Sequence, residues 1–413
     1  MDRPPRIAYV LLWFPKASET FIFREVANLW KMGLQLKVFS LYGSLSRDLS
    51  PEMLLAAPRV ETLGLPYLAR AWKDVLYWWG RKPGVTWHLF KTARFRRWRH
   101  PEREGESLWG ALGGLHLARR CLEDKITHIH APWACGPATA AWMASHLTGI
   151  PFSFTGRAHD IFTPDNLLPE KLRDALFVRC ESKAVMHHLA QLTGGDTSKF
   201  RLTYNGVPLT AQAPAPARMQ PPYRLLALGR LVATKGFDVL IQACRILQDA
   251  GIDLHLTLAG SGPQGWRLKR LARNLGLADR ISFPGFIRYD KVAEQFGAAD
   301  VFIMPCIVDA SGNRDGLPTV ILEALLHRVP VIATDVAGIG EVIEDGVTGL
   351  LIPPGDPQAL AGAVLRMVRH RNAALEMAGR GRARVLTEFN PEANHRRVLE
   401  LFQEAGQERP AAN

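Results

Sequence analysis

Cysteine is scarce in this 413-residue chain: Cys121, Cys135, Cys180, Cys244 and Cys306 are odd in number, widely spaced and form no C-x-x-C pair. That pattern argues against a disulfide framework or a structural zinc site, and points to a reducing, cytoplasmic compartment. Long apolar runs are also missing, since none approaches the roughly 18–20 residues that span a bilayer. The apolar stretch from Ile7 to Phe14 stops at Pro15 and Lys16, short for a signal-peptide core, and reads as a buried first strand. Acidic residues are in deficit, with 39 Asp+Glu against 51 Lys+Arg. What remains is ordinary: 47% hydrophobic and 22% charged residues suit a soluble globular chain, and its length suggests two domains of about 200 residues.

The net charge of +12 invites anionic partners, and its placement narrows the choice. Between Arg70 and Arg103 ten Lys/Arg residues meet only Asp74 and Glu102, and the same stretch holds Trp72, Trp78, Trp79, Trp87 and Trp98. The rest of the chain is nearly balanced.

Short apolar runs bounded by turn residues alternate with helical stretches throughout. The first half has Ile7–Leu12, Leu36–Phe39, Ile126–His130, Phe152–Phe154, Leu176–Arg179 and Phe200–Tyr204; the second has Leu225–Leu228, Leu254–Ala259, Ile281–Phe283, Val301–Met304, Val329–Ala333 and Leu350–Ile352. Strand–helix alternation predicts α/β units, each a doubly wound parallel sheet covered on both faces. A Pro/Ala-rich stretch over 208–222 reads as a linker between residues 1–207 and 223–384, and helices are expected from about Pro357 onward. In such sheets ligands bind beyond the carboxyl ends of the strands, so the informative residues should follow the apolar runs.

Three stretches qualify. Gly229-Arg230-Leu231-Val232-Ala233-Thr234-Lys235-Gly236 follows one run and opens a helix at Phe237. Two cations on a glycine-bounded loop at a helix start suit a pyrophosphate, although the loop is not a Walker A sequence; the alternative is a solvated loop. Asp315-Gly316-Leu317-Pro318-Thr319 opens an almost wholly apolar helix in which Glu323 has no polar face of its own. Pro318 suits the first helical position. A buried carboxylate there needs donors, which sugar hydroxyls or an internal salt bridge would supply. Thr155-Gly156-Arg157-Ala158-His159-Asp160 ends a first-half strand with a His-Asp pair, and the commoner role of such a histidine is an ordinary buried hydrogen bond. His128 and His130 share one strand face; with no third ligand at typical spacing they read as structural or substrate-lining, not metal-binding.

Taken together these stretches resemble the retaining glycosyltransferases of the GT-B fold that build bacterial lipopolysaccharide and exopolysaccharide (glycosyltransferase family 4-like). The resemblance rests on G-R-L-x-x-x-K-G-F at Gly229–Phe237, G-S-G-P at Gly260–Pro263, P-G-F at Pro284–Phe286 and A-D-V-F-I-M-P at Ala299–Pro305. It continues through Asp315–Glu323, Thr334–Glu341 and Asp345–Asp356. In the first half, F-P-K-A-S-E-T-F-I at Phe14–Ile22 and H-D-I-F at His159–Phe162 look like the colanic-acid-type subgroup.

The resemblance implies two Rossmann-like domains facing across a cleft, with a C-terminal helix at about 385–413 returning to the first. It implies that Arg230 and Lys235 hold the donor diphosphate, Glu323 the donor ribose, and Gly260, Gly316, Leu317, Pro318 and Thr319 the donor's diphosphate and sugar. His159 and Asp315 would stand nearest the transferred sugar; Asp315 replaces the usual glutamate, and is shorter by one methylene. Ser18, Glu19, Thr20, His130 and Asp160 would lie on the acceptor side, where the family's usual Gly-Gly pair is missing. A UDP- or GDP-hexose donor, a saccharide or polyprenyl-linked acceptor and transfer with retention are implied. The chain has no Asp-x-Asp motif, so no cofactor and no metal are expected. A sugar-nucleotide 2-epimerase and an inactive scaffold share the architecture and remain as alternatives.

Trp72, Val75, Leu76 and Trp79 fall at i, i+3, i+4 and i+7, predicting an amphipathic helix, followed by Arg94, Arg96, Arg97 and Arg99 around Phe95 and Trp98. Tryptophan with arginine suits an anionic membrane surface, giving peripheral placement at the inner face of the cytoplasmic membrane through residues 70–103. The alternative packs the aromatics on the first domain. Nucleic acid is not expected as a partner, since no RNA-binding module is present.

Overall fold

The computed structural model describes residues 5–43, 49–94, 101–207 and 218–407. Phe95, Arg96, Arg97, Trp98 and Arg99 lie outside these residues, as do the side chains of Arg94 and Arg103 and the 208–217 part of the expected linker. The chain forms two compact units, Met1–Tyr204 with Glu392–Asn413, and Asn205–Pro391.

The first unit is built on seven strands: β1 (Arg6–Trp13), β2 (Gln35–Gly43), β3 (Val60–Thr62), β4 (His128–Ala131), β5 (Phe152–Gly156), β6 (Val178–Cys180) and β7 (Phe200–Leu202). Their order is β3-β2-β1-β4-β5-β6-β7, with every pair parallel. β3 has no apolar run to announce it: it is a three-residue edge strand whose residues are half-buried or exposed. The second unit has β8 (Tyr223–Leu228), β9 (Leu254–Ala259), β10 (Ile281–Ser282), β11 (Val301–Met304), β12 (Val331–Thr334) and β13 (Leu350–Ile352) in the order β10-β9-β8-β11-β12-β13, again all parallel. Both sheets therefore reverse direction of growth at one point, between β1 and β4 and between β8 and β11. These are the two Rossmann-like sheets of a GT-B fold, and each switch point opens a crevice at the carboxyl strand ends.

Close packing on the first sheet depends on small residues. The helices Pro101–Glu123 and Gly136–Thr148 approach so closely that a Cβ on Gly110 would lie 2.2 Å from the Gly136 carbonyl oxygen. The C-terminal helix Pro391–Gln407 packs Val398, Leu401 and Phe402 against β1 and the helix Thr20–Lys31. Beneath it the side chains of Glu25, Arg179 and Tyr9 meet in the core, Glu25 accepting from the Tyr9 hydroxyl and the Arg179 guanidinium.

The Trp-rich stretch forms two helices, Ala71–Arg81 and Pro83–Arg94. The expected stripe of Trp72, Leu76 and Trp79 is present but faces outward, and Val75 is half-buried. The buried face is Ala71, Asp74 and Trp78. The Trp78 indole donates to the Leu115 carbonyl at 2.9 Å, and Asp74 accepts from the Tyr67 hydroxyl at 3.1 Å and pairs with His116 and Arg119.

Candidate functional site

In the second unit, the loops beyond β8, β9 and β11 are laced together by backbone bonds. Gly229 N–H donates to Ala259 O at 3.0 Å, Leu231 N–H to Ser261 O at 2.8 Å, and Ile307 N–H to Thr234 O at 2.9 Å. Glycine permits this approach. Gly260 has φ +143°, and a Cβ on it would sit 1.8 Å from the Gly229 carbonyl oxygen. Gly236, at φ +61°, would place a Cβ 2.0 Å from Pro305 O. Gly260→Ala should therefore destabilise the unit by about 3 kcal/mol, where Gly251→Ala, at φ +76° but in open space, should cost about 1 kcal/mol. Urea denaturation of the two variants measures the difference, and equal midpoints would refute the close-approach account.

The lacing carries a charged pair. Lys235 ends a short 3-10 turn at Ala233–Lys235, and its side chain runs inward over Gly229 until Nζ meets Asp315 Oδ2 at 2.6 Å. The lysine side chain is 8% exposed and that of Asp315 26%. Burial alone would lower the Lys235 pKa, but the Asp315 carboxylate outweighs it and holds the ammonium above its ordinary range. Burial would likewise raise the Asp315 carboxyl, yet Lys235 first, then Arg230, hold it below the usual carboxylate value. Both groups are thus ionised together. An ammonium has three donors, and the one spent on Asp315 fixes where the others point. Arg230 is exposed on the same loop.

The helix beside this pair spans Thr319–Leu326, so Pro318 is its N-cap and not its first residue as expected; with ψ 118° it is still extended. Gly316 is buried and accepts from Gly338 N–H at 3.1 Å, and Leu317 is also buried. These contacts fix the approach to a helix start whose Thr319 and Val320 N–H groups have no intrahelical acceptor. Glu323 is not enclosed, contrary to the reading of an all-apolar helix. It shares a half-buried strip with Thr319 and Val320, while Ile321, Leu322, Ala324, Leu325 and Leu326 fill the core. The structure thus brings Arg230, Lys235, Gly260, Asp315, Gly316, Leu317, Pro318, Thr319 and Glu323 to the carboxyl ends of one sheet. The exposed Arg230, the buried Lys235 ammonium and the helix start suit an anionic ligand, and Glu323 on its half-buried strip suits hydroxyl donors.

In the first unit the loops beyond β1, β4 and β5 meet at the other switch point. Ser18 is exposed, Glu19 pairs with Lys16 at 2.6 Å, and Thr20 begins the helix Thr20–Lys31. His159 is exposed on the short helix Ala158–Phe162, whereas its neighbour Asp160 is buried and accepts from Ala134 N–H at 2.7 Å. His130 does not belong with these residues. It lies wholly inside the core, with Nδ1 2.8 Å from Ser153 Oγ and Nε2 3.1 Å from Thr155 Oγ1. Burial pushes its pKa well below the ordinary histidine value. His128 is buried beside it, with Nε2 2.7 Å from the same Ser153 hydroxyl. Both histidines are thereby structural.

Arg157 is the residue sequence reasoning passed over. Its buried guanidinium donates to Pro132 O and Glu181 Oε2, both at 2.8 Å, and lies over the rings of Phe21 at 4.5 Å and Trp133 at 5.2 Å. It ties the three loops into one surface behind His159. The only sequence signal was its place beside His159; its partners come from elsewhere in the chain.

Residues 212–384 match the family model for glycosyl transferases group 1. The amylovoran biosynthesis glycosyltransferase AmsK of Erwinia amylovora is 34% identical over 182 residues, covering 44% of this chain and 45% of that protein. A GDP-mannose-dependent alpha-(1-6)-phosphatidylinositol monomannoside mannosyltransferase of Mycobacterium tuberculosis is 32% identical over 203 residues, 48% of this chain and 50% of that one. The chain spans about half the length of the curated relatives it matches. Among solved structures, Anabaena HepE in complex with UDP-glucose superimposes with a TM-score of 0.69 at 19% identity, covering 96% of this chain and 99% of that one. At that identity the likeness shows the fold.

Proposed function

From a GT-B chain whose residues 212–384 match the model for glycosyl transferases group 1, we propose a retaining hexosyltransferase that moves a sugar from a UDP- or GDP-sugar to a saccharide acceptor, lipid-linked, in cell-surface polysaccharide synthesis. The observation that carries this reading is the ionised Lys235–Asp315 pair set between a glycine-laced loop and a helix start, with Arg230 at its rim. Arg230, Lys235 and the Thr319 and Val320 N–H groups would receive the diphosphate, and Glu323 the ribose hydroxyls. Asp315 would orient Lys235 and face the transferred sugar, and exposed His159 is the first unit's candidate for a part in the transfer.

Retention follows if the acceptor oxygen bonds to the anomeric carbon on the face the diphosphate leaves. The carbon–oxygen bond to phosphate breaks, the new glycosidic bond forms, and the acceptor proton passes to the departing phosphate oxygen. The protein's part is positioning and charge stabilisation, supplied by side-chain cations without a metal. UDP-glucose in HepE and GDP-mannose in the mycobacterial relative leave both donor classes in play.

Thermal stabilisation by UDP, GDP, ADP and their sugar conjugates, in EDTA, tests this. One nucleotide family should raise the melting temperature by roughly 5 °C at saturating ligand, and Arg230→Ala should erase the shift. No shift with any nucleotide at millimolar concentration would refute the reading. Sugar transfer with inverted product stereochemistry would refute retention alone.

A further inference from the structure

We propose that the outer face of the helices Ala71–Arg81 and Pro83–Arg94 is a docking surface for an anionic lipid bilayer. Helix Ala71–Arg81 carries two apolar stripes, one buried and one exposed, about a third of a turn apart. Its inner side is locked to the unit: Trp78 is bonded to the Leu115 carbonyl, and Asp74 is held by Tyr67, His116 and Arg119. Its outer side therefore stays outward as a fixed feature of the fold. There Trp72 is 57% exposed, Leu76 61% and Trp79 46%, and Trp87 of the second helix, 56% exposed, meets Trp79 edge-on at 6.3 Å. Leu65 and Leu68, just before the first helix, are exposed as well. An ordinary surface helix places polar residues on its outer side.

Charge decides the occupant. Arg70, Lys73, Arg81, Lys82 and Lys91 are all exposed around these rings. The sole acid from residue 70 to 94, Asp74, is buried on the opposite side and neutralised there. Tryptophan beside lysine and arginine, with no exposed carboxylate among residues 70–94, matches the boundary between acyl chains and anionic headgroups. A protein partner fits less well, since lysine is depleted at the apolar centre of protein interfaces. The helix Gly265–Asn274 of the second unit is the nearest rival: it is basic and bears an exposed tryptophan, Trp266, but Leu268 and Ala272 on it are buried and Trp266 is the one aromatic residue it carries.

The surface has no part in nucleotide binding, so it is tested without donor or acceptor. Full-length protein is sedimented with vesicles of phosphatidylglycerol and phosphatidylcholine, and with phosphatidylcholine alone. Binding to the anionic vesicles should fall as salt rises and be absent from the neutral ones. Trp72→Ser/Trp79→Ser should weaken binding by at least about tenfold, while nucleotide stabilisation persists. Lys73→Glu/Lys82→Glu should lose at least about fivefold per cation, and decides the matter if the tryptophan variant fails to fold. No binding of the native protein to anionic vesicles at low salt would overturn the proposal. So would undiminished binding by both variants, loss on Trp266→Ser instead, or capture of RNA through Lys73 and Lys82 with no affinity for vesicles.

Discussion

Lys235→Ala should lower kcat/KM for the donor about a thousandfold, the largest effect on transfer expected from one side chain. Two losses combine. The ammonium no longer bonds a phosphate oxygen, a contact worth about 1.5–3 kcal/mol when one partner is charged. Asp315, 2.6 Å from the ammonium in the native pair, becomes an unbalanced carboxylate facing an incoming dianion. Together these amount to about 4 kcal/mol, whereas the cost to folding should be about 1–2 kcal/mol because Asp315 reaches water. Asp315→Asn keeps the cation and removes only its guide, so it should lose about tenfold.

The double variant Lys235→Ala/Asp315→Asn separates the two losses. With the carboxylate gone, repulsion goes with it, and activity should recover about tenfold over Lys235→Ala alone. Steady-state kinetics on the four proteins closes the cycle. If Lys235→Ala stays within about tenfold of the native enzyme, the ion pair is a structural feature and the phosphates bind elsewhere. If the double variant is no better than Lys235→Ala, Asp315 does not face the phosphates.

The two sheets were legible because parallel strands covered on both faces read as apolar runs, and the cationic loop and the His159–Asp160 pair follow such runs within a few residues, whereas Pro318–Thr319 is announced by the apolar helix it opens. What stayed hidden depends on partners distant in sequence. Arg157 reads as one more cation until Glu181, Phe21 and Trp133 close around it. His130 reads as a site residue until Ser153 and Thr155 occupy both ring nitrogens. Glu323 reads as stranded on an apolar helix because composition does not reveal that its strip is left half-open. Periodicity found the Trp72–Leu76–Trp79 stripe but not its direction. Two faces of that helix are apolar, and the inner one is chosen by Asp74, whose partners His116 and Arg119 lie on the helix Pro101–Glu123.

Glu25→Ala should destabilise the first unit by about 3–5 kcal/mol, lowering its melting temperature by roughly 10 °C. Glu25 and Arg179 are each almost wholly buried, and the carboxylate also accepts from the Tyr9 hydroxyl. Removing it strands a guanidinium in the core with Thr203 O, at 3.4 Å, as its remaining acceptor among the described residues. Arg179→Met added to Glu25→Ala should restore most of the loss, because an apolar pair of similar volume leaves no charge to desolvate. Acid should expose the same pair. Burial pushes the Glu25 carboxyl up, but Arg179 first, then His395, Arg157 and Tyr9, bring it down to about 2. The folded value lies below the unfolded one, about 4.3, so the pair's contribution is complete above about pH 5 and is lost as the pH falls toward 2. A separate loss begins earlier. Burial holds His395 at about 4 and His128 at about 3, against about 6.5 unfolded, so the unfolded chain takes up protons first as the pH drops below about 6.5. Calorimetry from pH 7 to pH 3 should show both declines in the native protein and a flatter lower one in Glu25→Ala. A variant that melts within 2 °C of native (about 1 kcal/mol or less) would mean that water, not Glu25, neutralises Arg179.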